Sequence, residues 1–155
     1  MQIQDITNQV LDATEKGKLK SVASYFADNF KLTGPMPTPQ NKDQYLDTMA
    51  KLTSGIPNWN FNRHDLRVEG QTVVVPVRVT GTQSRPIPSL MPGMPDLPAS
   101  NRSLSLPNET IRVKFQGERI VEVHVDPVPG GGVTGILEQL GVQIPVTGRS
   151  DKSSK

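Results

Sequence analysis

Apolar residues recur every three to four positions through residues 3–52 and every second position from residue 58 onward, so the chain reads as helices followed by strands. Ile3, Ile6, Val10 and Leu11 define one amphipathic helix that should end near Gly17. Leu19, Val22, Ala23 and Phe26 repeat the spacing in a second helix that stops around Asn29, with Phe30 to Leu32 as a short strand before the Gly34-Pro35 break. Beyond the loop MPTPQ, Asn41 is placed to cap a third helix whose buried stripe is Tyr45, Leu46, Met49 and Leu52, closed by Gly55 and Pro57.

From Asn58 the period is two. Trp59 and Phe61 begin a strand that runs through Leu66 and Val68 to a turn at Glu69-Gly70. Gln71 to Thr82 opposes Val73, Val75, Val77 and Val79 to Val74, Pro76, Arg78 and Thr80. Pro76 has no N–H for a ladder, which predicts a bulge or an edge at mid-strand. Thr110 to Gln116 sets Ile111, Val113 and Phe115 against Thr110, Arg112 and Lys114. After a turn at Gly117, the alternation from Arg119 puts Val121, Val123 and Val125 on one face and Ile120, Glu122, His124 and Asp126 on the other. A glycine-rich loop and a short helix ending in QLG close the pattern.

Residues 83–108 break every period. They hold many of the prolines together with Leu90, Met91, Met94 and Leu97, and form either a mobile surface excursion or a segment packed across the mouth of a cavity. Residues 1–141 make one α+β domain and residues 142–155 a flexible tail, whose last stretch TGRSDKSSK has no apolar anchor.

With 155 residues the chain is long enough for one real core, and the net charge of +2 offers no concentrated basic patch for nucleic acid. There is no Cys, hence no thiol chemistry and no Cys-based metal site. No apolar run approaches membrane-spanning length, and the N-terminus lacks the layout of a signal peptide, so a cytoplasmic protein free of membrane is the expectation. Gly130-Gly131-Gly132 lacks the Lys and Ser/Thr of a phosphate cradle, and no Gly-x-Ser-x-Gly elbow occurs. Acid–base chemistry remains. Glu122, His124 and Asp126, at i, i+2 and i+4 of one strand, share one face and therefore share either water or a pocket.

FQGERIVEVHVD followed by GILEQLG resembles the closing segment of the SnoaL-like polyketide cyclases, where an aromatic, a polar residue, Gly-Lys-Ile-Val-Glu, a Trp and an Asp precede a leucine-rich QLG helix. The similarity extends upstream to SGIPNW, EGQTVVVPVRVTGT and the segment ending ADNF. It implies the nuclear-transport-factor-2-like fold, a cone in which N-terminal helices wrap a curved antiparallel sheet around an apolar cavity. It also implies a cyclase or isomerase acting on an apolar polycyclic ligand, with Asp126 transferring the proton and His124, at the family's Trp, assisting. Burial in such a cavity would raise the Asp126 pKa. Trp59, Phe61, His64, Arg78, Met91 and Glu122 are the residues expected to contact the ligand. Two ionisable groups of the family pattern are replaced here, by Asn58 after Pro57 and by Gln83 after Gly81-Thr82. The expected partners are a hydrophobic small molecule and a second copy in a homodimer, with no cofactor, metal or nucleic acid. A non-catalytic binding protein and a dimeric interaction module are the alternatives.

Overall fold

The computed structural model describes residues 1–34, 38–90 and 93–142. The N-terminal spacing forms α1 (Ile3–Glu15), which buries Ile6, Val10 and Leu11. Gly17, just beyond it, takes a positive φ of 71° and reverses the chain. The second predicted helix is instead a kinked 3₁₀ segment, Leu19–Tyr25, and strand β1 (Phe26–Thr33) starts at Phe26. Phe26 is fully buried and pairs with Ile120, so sheet pairing overrides its helical spacing. After the short β2 (Gln40–Asn41), α2 (Lys42–Gly55) opens on a capping box. Asn41 Oδ1 accepts the Gln44 N–H at 2.9 Å, and Gln44 Oε1 accepts the Asn41 N–H at 2.9 Å.

The remaining strands are β3 (Arg67–Glu69), β4 (Thr72–Val77), β5 (Thr80–Thr82), β6 (Ser103–Ser105), β7 (Glu109–Gln116) and β8 (Arg119–Val125), followed by α3 (Gly132–Gln139). The main sheet has the order β2-β1-β8-β7-β4-β3, and β5-β6 form a second ribbon. The sheet is mixed, because β1 and β8 run parallel whereas the other pairs are antiparallel. Register shifts in both β1–β8 and β7–β8 bend it. Its concave side meets α1 and α2 in a core that includes Leu52, Ile56, Val73, Val75, Ile120 and Leu137. No helix among the described residues is long and apolar enough to cross a membrane.

The strand expected from Trp59 to Val68 shrinks to an Asn60–Thr80 bridge and β3. Asn62 and Asp65 adopt positive φ of 48° and 52°, and the Asn62 side chain donates to Arg78 O and Thr80 Oγ1 in place of a ladder. Pro76 stays in register with Thr110. Its carbonyl accepts from His64 N, and Arg78 N donates to Phe61 O, so the missing N–H faces the side where β3 has already ended. Pro76 therefore sits neither at a bulge against β7 nor at a free edge.

The described residues of 83–108 are packed in. Ile87 pairs with Leu97, and Ile87, Leu90, Met94, Leu97 and Leu104 are all buried. Gln83, 1% exposed, holds the segment together: Nε2 donates to Arg85 O and Pro98 O, and Oε1 accepts the Ser100 hydroxyl at 2.6 Å. The expected C-terminal tail and Met91 lie outside the described residues, apart from Val142, which packs against the core.

Candidate functional site

One extra residue in β8 decides which side chains face the core. Lys114 pairs with Glu122 and Phe115 with Ile120, so Val121 has no partner opposite it. Unbroken alternation would put Ile120 beside Glu122; the bulge turns it inward instead, fully buried, on the side of Phe115. Beyond the bulge Val123 and Val125 point inward with Val113 and Ile111. Glu122, His124 and Asp126 are left on the convex side.

There they form a polar ladder with β7 and β1. Arg112 Nε and Nη2 donate to the two carboxylate oxygens of Asp126 at 3.1 and 3.0 Å. His124 Nε2 lies 3.4 Å from Asp126 Oδ1, and Lys114 Nζ 3.7 Å from Glu122. Thr33 Oγ1 donates to Glu122 Oε2 at 2.6 Å and lies 2.7 Å from His124 Nδ1. A hydroxyl has one hydrogen, and here it goes to a carboxylate, so His124 must present Nδ1–H to Thr33. The chain Thr33–His124–Asp126 is thus ordered opposite to a nucleophilic relay, in which the imidazole would accept the hydroxyl proton. The hydrogen bond from Arg112 is the main cause holding the Asp126 carboxyl below the usual range, against a smaller opposing effect of desolvation. Desolvation pushes Glu122 up, but the Thr33 hydrogen bond and the charges of Lys114, Lys31 and His124 together bring it below its ordinary value. The expectation of a cavity-facing Asp126 with a raised pKa is therefore overturned, because β8 presents its valines to the interior.

On the concave side lies a cavity of about 110 Å³. Its wall is almost wholly apolar, built from Val10 and Leu11 of α1, Met49 and Leu52 of α2, the inward valines of β4, β7 and β8, and Val133 and Ile136 of α3. Trp59 and Phe61 line it edge to face, with ring centres 5.9 Å apart. They are held there by α1: Glu15 Oε2 accepts the Phe61 N–H at 2.9 Å, and Arg63 pairs with Asp12 and Glu15. Tyr45 also lines the cavity, and burial pushes its phenol up to about 12, so it is uncharged there.

The wall contains one carboxylate among the described residues, Glu109, and no Lys, Arg or His. Glu109 is 6% exposed and sits at the first position of β7, opposite Val77. Its Oε2 accepts the Gly132 N–H at 3.0 Å, at the first turn of α3, while Oε1 has no hydrogen bond among the described residues. Desolvation raises its pKa, and the hydrogen bond from Gly132 opposes the rise without cancelling it. Gly131 is required by this approach, since a Cβ there would stand 2.7 Å from Glu109 Oε2.

Of the residues expected at the ligand, Trp59 and Phe61 line the cavity. His64 is exposed near the Asn62 carbonyl, and Arg78 is exposed and bonded to Ser105 Oγ. Neither Asn58 nor Gln83 reaches the cavity; Asn58 Oδ1 accepts the Thr82 N–H at 2.8 Å. Glu109 was not among the expected residues. The signal for it was present, because it is in phase with Ile111, Val113 and Phe115 one step before the strand was taken to begin.

Residues 7–123 match the family model for the SnoaL-like domain. No curated protein sequence matches the chain. Among solved structures, a SnoaL-like polyketide cyclase from Agrobacterium tumefaciens is similar at 20% identity and a TM-score of 0.62, over 91% of this chain and 100% of that one. TsrD from Streptomyces laurentii is similar at 18% identity and a TM-score of 0.64, over 91% and 96%. A cystatin-fold protein from Novosphingobium aromaticivorans is similar at 15% identity and a TM-score of 0.61, over 82% and 99%. These likenesses establish a shared fold.

Proposed function

The chain belongs to the SnoaL-like domain family, and from that premise we propose that it holds a hydrophobic small molecule in the concave cavity and moves a proton on it through Glu109. The observation that supports this reading is a carboxyl group buried in an apolar wall with its pKa raised, the state a general acid–base group needs near neutral pH. The intramolecular aldol closure implied by the family resemblance begins by removing a proton from carbon next to a carbonyl. Glu109 Oε1, which has no other hydrogen bond among the described residues, is the oxygen that would take it. Asp126 is less suited to that work, since Arg112 holds its carboxylate ionised and weakly basic on the opposite face.

The test is hydrogen exchange on cyclohexanone in D₂O, followed by proton NMR. Wild-type protein should accelerate loss of the hydrogens next to the carbonyl, and Glu109→Gln should not. Equal acceleration by both proteins would remove Glu109 from the chemistry. A second reading, binding without turnover, is favoured by the Gly132 hydrogen bond, which gives the carboxyl a structural task at the start of α3. It predicts that cyclohexanone binds and exchanges no faster than in buffer.

A further inference from the structure

The cavity has a second unusual polar group. The indole of Trp59 lines it, and the buried Nε1–H has no hydrogen-bond partner among the described residues. Buried donors are rarely left unpaired, and an indole N–H can only donate. An acceptor brought into the cavity would complete it.

Two further features narrow the occupant. The volume of about 110 Å³ is somewhat smaller than the ~150 Å³ of an engineered apolar cavity that takes benzene. That leaves space for about one six-membered ring within the cavity itself. Among the described residues the wall also carries no cationic side chain, while its one carboxyl would repel an anion whenever ionised. A charged ligand would lose its hydration with nothing to replace it.

We infer that the ligand is an uncharged molecule of about one ring bearing an acceptor oxygen that takes the Trp59 indole N–H. This deepens the small-molecule reading and rests on it. The Trp59 indole and Glu109 line one cavity, so the ligand this inference points to is a ring ketone, its oxygen on the indole and its neighbouring C–H toward the carboxyl.

Trp59 is the sole Trp, so ¹⁵N-indole labelling gives one cross-peak that reports the group in question. Cyclohexanone and methylenecyclohexane have nearly the same shape, and only the first has an oxygen. Cyclohexanone should bind roughly 2- to 13-fold more tightly, the worth of one net hydrogen bond, and should move the indole proton downfield. Trp59→Phe should abolish that preference while still admitting methylenecyclohexane. Equal affinities in the wild type, or an unmoved indole proton while the methyl resonances of Ile111 and Val123 report a bound ketone, would overturn the acceptor assignment and leave the small-molecule reading intact. If 1-decalone bound as tightly as cyclohexanone, the one-ring limit would fall. If neither single-ring compound shifted the cavity methyls, the small-molecule reading would fail together with this inference.

Discussion

The carboxylate of Glu109, at the head of β7, accepts the backbone N–H of Gly132 at 3.0 Å and so joins the sheet to the first turn of α3 across the edge of the cavity. The same burial that makes this bond strong disfavours the ionised acid. Its folded-state pKa lies above the unfolded value, so the protonated form is preferred on folding. Stability is therefore lost as pH rises from the ordinary carboxylate range through the folded-state pKa. Urea denaturation of wild type and Glu109→Gln at a series of pH values checks this. The stability of Glu109→Gln relative to wild type should climb with pH across that window, by at most about 1.4 kcal/mol per pH unit for one proton. Parallel curves would refute it.

Asp126 has the opposite linkage. Its carboxyl is held low by Arg112, so its contribution is present above the ordinary carboxylate range and is lost as pH falls through the folded-state value. Both partners are about one-third exposed, at 35% and 36%. Asp126→Asn should therefore destabilise by less than ~1 kcal/mol at neutral pH and flatten the acid limb. Affinity for a cavity ligand should be unchanged in a calorimetric titration.

Gly135 lies inside α3, where Ala would ordinarily be favoured by about 0.5–1 kcal/mol. A Cβ at this position would stand 2.0 Å from the Gly130 carbonyl oxygen and 3.5 Å from Leu106. Gly135→Ala should for that reason destabilise, by about 1–3 kcal/mol. Amide exchange should quicken along α3, which carries Val133 and Ile136 onto the cavity wall.

Gln83→Ala empties a buried position and removes the partner of the Ser100 hydroxyl and the Pro98 carbonyl. The expected loss is about 1–3 kcal/mol. Limited proteolysis should then cut within residues 84–102 in the variant under conditions that spare the wild type.

Local patterns carried the first and third predicted helices and the final hairpin. The stripe Ile6, Val10 and Leu11, the Asn41 cap and the alternation through Ile111, Val113 and Phe115 are all determined within a few residues of chain, and each appears in the fold. What escaped depends on distant partners. Phe26 has helical spacing but pairs with Ile120, more than ninety residues away. Nothing in RIVEVHVD marks Val121 as a bulge, because a valine suits either face, and that single residue determines whether the face carrying Asp126 looks inward or outward. The face carrying Asp126 reads as inward for this reason, even though the family and the cavity-lining Trp59 and Phe61 are legible. Glu109 follows the Pro107-Asn108 break and reads as a turn residue until its phase with Ile111 is noticed.

The most direct measurement is a map of side-chain resonances on adding cyclohexanone to wild-type protein. Shifts in the methyl groups of Ile111, Val113 and Val123 and in the Trp59 indole, with the His124 ring and Arg112 guanidinium unmoved, are the predicted result. Shifts confined to His124 and Arg112 would move the site to the convex face of the sheet and contradict the assignment of the cavity and Glu109.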